Sequence, residues 1–296
     1  MEKIEKEVWK KDLSEFKEKT EQFYAGELDK ASYKGFSGRF GSYAQKDGKA
    51  SMLRLRMAGG RLTKDKMKFI ADSIETYQVD KVHFTTCQTI QLHNLQPEAI
   101  YGIMEGALDH GIVTMGGGGD FPRNVMVSPL SGVEQEEYFD VLPYAEAAGE
   151  YLLTFINKKM MPRKLKVGFS NSPANKTHAT FRDLGFAARP DGVFDVYSAG
   201  GLGNNPRFGL KVAEAAEPKK ILYYICAMRE TFIAYGNYEQ RGKARTRYMQ
   251  ETLGEEGYVK AYQEKLEEVF ASGENLDLDM TAEEWTKQGN GSAVSD

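Results

Sequence analysis

Residues 51–63 read Ser-Met-Leu-Arg-Leu-Arg-Met-Ala-Gly-Gly-Arg-Leu-Thr, and the architecture of the first part of the chain follows from them. Large apolar residues with Arg54 and Arg56 between them predict a strand that ends at a pair of glycines. Thr63 is suited to cap a helix, and apolar residues at helical spacing follow it. The stretch therefore predicts a strand, a turn and a helix, with two arginines on the strand.

The segments that follow extend this unit. Residues 82–86 and 89–95 have the composition and alternation of strands, and a further helix begins at Pro97. A short final strand is expected at 112–114, after a glycine that closes this helix. The order strand, helix, strand, strand, helix is that of a split βαβ unit. We therefore predict an α+β protein, in which a small ferredoxin-like unit is followed by a larger mixed α+β domain.

The remaining segments are assigned from apolar spacing and turn residues. Residues 1–25 predict an amphipathic first helix, and residues 33–43 predict a loop laid over the body of the fold. In the larger domain we expect strands at 124–128 and 165–170, a strand pair within 186–197, and helices at 143–157 and within 218–270. The predicted domains are an N-terminal helix and wrapping loop at 1–47, the ferredoxin-like unit at 48–115, the larger domain at 116–270 and a polar linker at 271–296.

The composition excludes several classes of protein. The chain of 296 residues has a formal net charge of −4, which argues against a dedicated nucleic-acid-binding protein. No apolar run is long enough to span a membrane and the N-terminus does not read as a secretory signal, so we expect a cytoplasmic protein. The two cysteines, Cys87 and Cys226, form no Cys-x-x-Cys pair, and the histidines lack metal-ligand spacing. No metal site is predicted.

Basic residues on or beside predicted strands and loops suggest a site for a small anion. Arg56 ends the first strand, and Arg123 follows a Phe-Pro pair. Lys164 and Lys166 point to one face of a strand, because side chains alternate with period two. Taken singly, such residues are more often solvated surface charges. Taken together, they predict a converging set that holds an anion.

Two glycine runs and one basic cluster are further candidates for anion binding. The glycine runs 116–119 and 200–203 offer backbone amides for carboxylates or phosphates, although tight turns explain them equally well. Neither run matches a dinucleotide or P-loop fingerprint. The basic cluster at 241–247 lies at the head of a predicted helix, on which side chains four residues apart are neighbours. It is either a solvated helix face or a site where arginines recognise several carboxylates.

Five motifs together resemble the sirohaem-dependent nitrite and sulfite reductases. They are Leu53–Thr63, Phe84–His93, Pro122–Asn124, Pro162–Lys166 and Ala199–Gly203, in the order and roughly the spacing of that family. The resemblance implies reduction of sulfite to sulfide, or of nitrite to ammonia, at the iron of sirohaem. It further implies that electrons arrive through a 4Fe-4S cluster from ferredoxin or a flavoprotein.

The resemblance also implies a set of site residues. The substrate-side residues are Arg56, Arg123, Lys164 and Lys166, which would attract the anion and help to deliver protons. The residues around sirohaem and its carboxylates are Thr85, Cys87, Gln91, His93, Arg163, Gly200, Gly201, Gly203, Asn204, Arg241, Lys243, Arg245 and Arg247. Because sirohaem carries many carboxylates, such a site accounts for basic motifs in a chain that is acidic overall.

Two departures from the family pattern matter. Cys87 stands where the family usually has arginine, so one guanidinium contact to the macrocycle is missing. The paired cysteine motifs that bind the cluster are absent, and Cys226 matches neither of them. The resemblance thus implies the first of two similar halves, which would not turn over alone. The chain is then a fragment, a split subunit or a degenerate remnant.

The leading hypothesis is the sirohaem- and anion-binding half of such a reductase, completed by a C-terminal half or partner subunit that holds the cluster. The alternative is a non-catalytic tetrapyrrole-binding or interaction module derived from the same fold. A plain anion- or nucleotide-binding protein is a third interpretation. Nitrite and sulfite fit equally well, because both are small anions that the same basic groups recognise.

Overall fold

The computed structural model describes residues 3–156 and 160–279, with the backbone alone for residues 3–5. The chain divides into two units, Met1–Asn124 and Val125–Asp296. The division follows the glycine run 116–119, whereas the sequence placed it just before that run. Among the described helices, none is long and apolar enough to cross a membrane.

The first unit is built on a four-stranded antiparallel sheet. Its helices are α1 (Lys3–Tyr24), α2 (Lys30–Ser37), α3 (Lys64–Thr76) and α4 (Pro97–Asp109). Its strands are β1 (Ser42–Ala44), β2 (Ser51–Arg56), β3 (Val82–Phe84) and β4 (Thr89–Leu95), in the spatial order β1-β2-β4-β3. The predicted order strand, helix, strand, strand, helix corresponds to β2, α3, β3, β4 and α4, and it is confirmed.

The alternation along β2 separates a core face from a polar face. Leu53 and Leu55 are fully buried in the core of this unit. Because side chains alternate along a strand, Arg54 and Arg56 lie on the opposite face. A slip of one residue would exchange the two faces, so burial of the leucines fixes where the arginines stand. The predicted cap is also present, since Thr63 Oγ1 accepts the N-terminal amide of α3.

Two local predictions for this unit are wrong. The segment 33–43, predicted as a loop, belongs to α2, a short 3₁₀ turn and β1. The Asp29 carboxylate caps α2 by accepting hydrogen bonds from two backbone amides at 2.8 and 3.0 Å, and Tyr33 is buried. The glycine spacing concealed this helix. The strand predicted after α4 is a single bridge between Val113 and Arg56.

The second unit is built on a five-stranded mixed sheet. Its strands are β5 (Met126–Val127), β6 (Val167–Ser170), β7 (Leu184–Ala188), β8 (Phe194–Ser198) and β9 (Leu210–Ala216), side by side in chain order. Its helices are α5 (Leu142–Leu153), α6 (Ile221–Tyr235), α7 (Met249–Leu253) and α8 (Glu255–Ala271). The pairs β5–β6 and β6–β7 are parallel, and the other two pairs are antiparallel. Phe169 and Phe186 stack within the core, with ring centroids 4.6 Å apart.

Several segments of this unit differ from the sequence expectation. The strand β9 was not predicted, because only Val212 and Ala216 of its residues are buried and the rest lack an apolar pattern. The helix expected at 143–157 corresponds to α5, and residues 157–159 lie outside the described residues. The polar linker was expected from residue 271, but Leu276 is buried against the core of this unit, so the described residues up to 279 still belong to the unit. Its continuation at 280–296 lies outside the described residues.

Candidate functional site

Three arginines of the first unit converge on the glycine run. Arg56, at the end of β2, donates from Nη1 to the carbonyl oxygen of Met115 at 2.6 Å. Arg123 donates from Nη1 to the Gly117 carbonyl at 2.5 Å and from Nη2 to the Gly119 carbonyl at 2.8 Å. Arg54 also donates to the Gly117 carbonyl. The structure thus brings the predicted residues Arg56 and Arg123 together, with Arg54 as a third member.

This arginine cluster, Arg54, Arg56 and Arg123, carries mutually repelling charges. Burial, and after it the positive charges of Arg123 and Arg54, lower the pKa of Arg56 to about 9. Burial also lowers the pKa of Arg54. Arg56 is 4% exposed, and its Nε atom has no hydrogen-bond partner among the described residues. An anion placed beside the cluster would relieve the repulsion and supply the missing acceptor.

The glycine run 116–119 supplies carbonyls to this cluster, not free amides. The amides of Gly116, Gly117 and Gly119 donate to oxygens of Arg39, Thr114 and Tyr43 at 2.6, 2.9 and 2.7 Å. A Cβ atom at Gly118 would lie 2.1 Å from the Tyr43 hydroxyl oxygen, so no larger residue fits there. The tight turn accounts for this run, and three of its amides are therefore already used within the fold.

The hairpin between β3 and β4 adds polar groups beside Arg54. With its amide oxygen turned toward Arg54, Gln91 accepts from Nη2 and Nε of that guanidinium at 2.5 and 3.1 Å. The other end of the amide lies 3.3 Å from His93 Nε2. Partial burial and the positive charge of Lys81 lower the pKa of His93, which favours a neutral ring able to accept from the amide.

The turn of this hairpin holds Thr85 and Cys87. Thr85 Oγ1 lies 2.7 Å from Thr89 Oγ1 and closes the turn on itself. The backbone carbonyls of Cys87 and Gln88 accept from Nδ2 of Asn124 at 3.0 Å each. Asn124 directly follows Arg123, so this contact fixes the segment that carries a predicted anion ligand. Cys87 itself is half-buried.

In the second unit, the predicted basic strand leads into β6. Leu165 is fully buried, whereas Lys164 and Lys166 on either side of it are half-buried. This alternation agrees with two lysines on the same face of an extended segment. The Lys166 amide donates to Asp183 Oδ2 at 2.8 Å. Arg163 precedes this segment and is half-buried as well.

Asp183, which the sequence did not single out, is the centre of a buried polar network. Its side chain is fully buried. Besides the Lys166 amide, it accepts from Arg245 Nη2 at 3.0 and 2.9 Å and from the hydroxyl of Thr246. Arg245 was predicted to face a cofactor carboxylate, and here its guanidinium is bound to a carboxylate of the protein.

Arg247 holds the loop that contains the second glycine run. It donates from Nη2 to the Asn204 carbonyl at 2.7 Å and from Nε to the Asn205 carbonyl at 3.0 Å. Gly201 exchanges two backbone hydrogen bonds with Arg207, both 3.0 Å long. A Cβ atom at Gly200 would lie 2.8 Å from the Gly209 amide nitrogen, so the backbone passes too closely for a side chain. Gly203 and Asn204 are exposed in this loop.

The helical arrangement predicted for residues 241–247 is wrong. The segment consists of two 3₁₀ turns, Arg241–Lys243 and Thr246–Tyr248, and α7 begins only at Met249. Side chains four residues apart therefore do not form one face. Arg241 and Lys243 are exposed, whereas Arg247 is 6% exposed and Arg245 is half-buried. The cause is the tertiary network, which requires Arg245 and Arg247 to reach different partners.

Sequence reasoning missed Arg54 and Asp183. Arg54 shares with Arg56 the polar face of β2, and the two-residue spacing was a sufficient signal. Asp183 precedes β7 with no local feature to distinguish it from a surface acid. Over the described residues, no group of three or more His, Cys, Asp or Glu side chains is arranged to hold a metal ion. Cys87 and Cys226 belong to different units.

Two family models match the chain. The model described as "Nitrite and sulphite reductase 4Fe-4S domain" matches residues 118–270. The model described as "Nitrite/Sulfite reductase ferredoxin-like half domain" matches residues 43–110. The two matches cover both units, and they span the arginine cluster and the Asp183 network.

Individual relatives agree with these matches. An assimilatory ferredoxin-dependent nitrite reductase of Haloferax mediterranei is 27% identical over 238 residues, which are 73% of this chain and 41% of the relative. The sulfite reductase [NADPH] hemoprotein beta-component of Chromohalobacter salexigens is 26% identical over 77% of this chain and 46% of the relative. The chain thus spans less than half the length of these relatives.

Solved structures show the same fold. The NirA protein of Mycobacterium tuberculosis superimposes with a TM-score of 0.73 at 24% identity, over 88% of this chain and 51% of that chain. A dissimilatory sulfite reductase I superimposes with a TM-score of 0.58 at 11% identity. At these identities the likeness concerns the fold alone.

Proposed function

Since the chain belongs to the nitrite and sulphite reductase family, we propose that it is the sirohaem- and anion-binding half of such a reductase. The completed enzyme converts sulfite to sulfide or nitrite to ammonia. It receives electrons from ferredoxin or a flavoprotein in the cytoplasm. The names of the two relatives mention ferredoxin and NADPH.

The observation that carries this proposal is the arginine cluster. Arg54 and Arg123 donate to the Gly117 carbonyl, and Arg56 donates to the nearby Met115 carbonyl. The pKa of Arg56 is lowered to about 9 by burial and by its positive neighbours. Such a cluster is costly to the fold, because burial and the repulsion between like charges both disfavour the charged form of Arg56. Its cost is offset when a bound anion supplies the opposite charge.

The donor set fits sirohaem. The macrocycle carries many carboxylates, and each unit by itself carries basic side chains of the kind that pair with carboxylates: Arg54, Arg56 and Arg123 in the first, and Arg163, Lys164, Lys166, Arg241 and Lys243 in the second. When bound, sirohaem would supply an iron that holds the anion and passes electrons to it. Guanidinium groups suit carboxylates because they pair with them bidentately.

The residues of the chain would perform three tasks at this site. Arg56 and Arg123 attract the anion and stabilise the negative charge that grows on it during reduction. Lys164 and Lys166 donate protons from Nζ as oxygen leaves as water. Gln91 orients the guanidinium of Arg54 through its amide oxygen. The first two tasks require hydrogen-bond donors, which the basic side chains provide.

The residues do not fit a 4Fe-4S cluster, although a matching family model carries that name. A cluster of this type is held by four cysteine thiolates. The chain has two cysteines, and they lie in different units. We therefore propose that another polypeptide or segment supplies the cluster, and we assign no electron-transfer step to this chain.

A titration of the chain with sirohaem tests the proposal. We expect one sirohaem to bind per chain, with a change in the absorbance of the macrocycle. The double variant Arg123→Ala with Lys164→Ala should bind at least about tenfold more weakly, because it loses two charge-assisted contacts. A matched control is Arg189→Ala with Lys219→Ala, which removes the same charges from exposed ion pairs. Failure of the unmodified chain to bind sirohaem would refute the proposal.

The second candidate is a non-catalytic tetrapyrrole-binding module, which the missing cysteine ligands favour. The two candidates differ in the native assembly. A catalytic half should purify from its source cells together with a cysteine-bearing polypeptide or segment, and the assembly should reduce nitrite or sulfite. A module without catalytic function should retain sirohaem but show neither iron–sulfur content nor reduction.

A further inference from the structure

We propose that Asp183 is a positioning residue that sets the direction in which Lys166 presents its ammonium group. This inference rests on the proposed function, because it concerns a lysine assigned to the anion site. Asp183 does not touch the anion or the macrocycle in this proposal. It acts through the backbone of Lys166 and through the segments that surround it.

The Asp183 carboxylate has no hydrogen-bonding capacity left for a ligand. Oδ2 accepts from the Lys166 amide at 2.8 Å and from Arg245 Nη2 at 2.9 Å. Oδ1 accepts from Arg245 Nη2 at 3.0 Å and from the Thr246 hydroxyl. Each oxygen therefore has two donors, which match its two lone pairs. The side chain is also fully buried, so it acts inside the protein.

Asp183 joins three segments that are distant in the sequence. Its carboxylate binds the start of the Lys166 strand and the turn at Arg245 and Thr246. Its backbone carbonyl accepts from the Ala199 amide at 2.9 Å, directly before the glycine loop at 200–203. All three segments carry residues assigned to the proposed site. Asp183 thus fixes the positions of these three segments relative to one another.

Asp183 supplies the opposite charge to the Arg245 guanidinium. The two groups form a buried ion pair, and such pairs often specify an arrangement more than they stabilise the fold. Removing one partner leaves the other charge buried and unpaired. Arg245 would then turn toward other acceptors, and the Lys166 strand would lose an anchoring contact. The expected result is a misplaced ammonium group in a protein that is still folded.

The variant Asp183→Asn tests this inference. Residues that orient the groups in direct contact with a ligand typically contribute about 10- to 100-fold to affinity. We expect Asp183→Asn to lose sirohaem affinity in that range. Asp195→Asn is the matched control: Asp195 accepts from Arg189 Nη1 and Lys211 Nζ at 3.1 Å each, so the same change breaks an ion pair elsewhere in the unit. The control should bind sirohaem as the unmodified chain does.

A double-mutant cycle separates positioning from a general loss of stability. If Asp183 acts through Lys166, then Asp183→Asn should add less than about threefold to the loss already caused by Lys166→Ala. A purely structural defect would weaken binding equally in both backgrounds. Should Asp183→Asn fail to fold, Asp183→Glu keeps the charge and displaces the carboxylate by one methylene group, and the same cycle applies.

The outcomes are distinct. If the unmodified chain binds no sirohaem, the proposed function fails and this inference fails with it. If the unmodified chain binds and the Asp183 variants bind equally well, the inference alone is overturned. If the Asp183 effect is independent of Lys166, Asp183 is a structural residue and the inference is again overturned.

Discussion

Arg54 and Arg123 donate hydrogen bonds to the same acceptor, the carbonyl oxygen of Gly117, from positions 63 and 6 residues away in the sequence. A strand residue and a loop residue are thereby held at one point of the glycine run. Two positive charges on one neutral oxygen are only partly compensated, since a carbonyl carries a dipole and not a full charge. The arrangement therefore supports the proposed anion site.

The shape of the glycine run should be essential to this arrangement. A Cβ atom in Gly117→Ala would lie 2.8 Å from the Thr114 carbonyl oxygen and 3.0 Å from the Gly41 Cα atom. We expect a destabilisation of about 1–3 kcal/mol, as for other overpacked sites, measured by urea unfolding of the first unit's signal. The control Gly35→Ala, in α2 with open space around it, should be neutral or slightly stabilising.

Arg56 should lower the free energy of unfolding of the ligand-free protein and raise its affinity for sirohaem. In Arg56→Met, the buried charge and its repulsion by Arg123 and Arg54 are removed while the side chain keeps a similar length. Loss of the hydrogen bond to the Met115 carbonyl offsets part of this gain, so we expect the free energy of unfolding without ligand to change by less than about 1 kcal/mol and sirohaem affinity to fall. Urea unfolding and a sirohaem titration measure the two quantities. A marked loss of stability would contradict the electrostatic argument.

His93 should make stability depend on pH in one direction. Its pKa is lowered in the folded protein, by burial first and by Lys81 second. Below the unfolded-state pKa of about 6.5, the unfolded chain binds a proton that the folded chain resists, so stability falls as pH decreases. His93→Gln should flatten the stability profile between about pH 5 and pH 7. A profile that stays unchanged in His93→Gln would contradict this prediction.

Arg247 should be irreplaceable by lysine. Its guanidinium spans the carbonyls of Asn204 and Asn205, and an ammonium group cannot reach both with the same planar geometry. We expect Arg247→Lys to lose about 1–2 kcal/mol in urea unfolding of the second unit, together with sirohaem affinity. Arg189→Lys, at an exposed ion pair, provides the comparison and should lose neither.

The edge strand β3 should promote self-association. It is the outer strand of its sheet, and Phe84 is 72% exposed on it. Unpaired backbone groups beside an apolar side chain form a surface to which another chain adds. Phe84→Lys should lower the fraction of dimer or larger species in sedimentation velocity without changing the unfolding midpoint. An unchanged sedimentation profile would show that this edge is inert.

The elements of the first unit were predictable because their patterns are local. The alternation at residues 51–57, the Thr63 cap and Pro97 at a helix start each act within a few residues. The helix α2 was missed because its glycine and aromatic residues hide an amphipathic pattern. The strand β9 was missed because its partner β8, and not its own composition, holds it in the sheet.

The site was predictable only as a list of residue types. The basic residues stood out by charge and by resemblance, but their contacts depend on tertiary structure. Nothing local indicates that Arg245 pairs with Asp183, which is 62 residues away, or that Arg247 binds a loop more than 40 residues away. The helical spacing assumed for 241–247 failed for the same reason, since distant partners determine that backbone.

The segment after α8 has a practical consequence for the design of shorter versions. The family match ends at residue 270, yet Leu276 is buried, its amide donates to the Tyr223 hydroxyl at 3.1 Å, and the Leu278 amide donates to the Lys219 carbonyl at 2.9 Å. The second unit thus extends past the last residue that the family model matches. A protein truncated after residue 270 would lose these contacts and leave part of the core of the second unit uncovered. A shortened version should therefore end after residue 279.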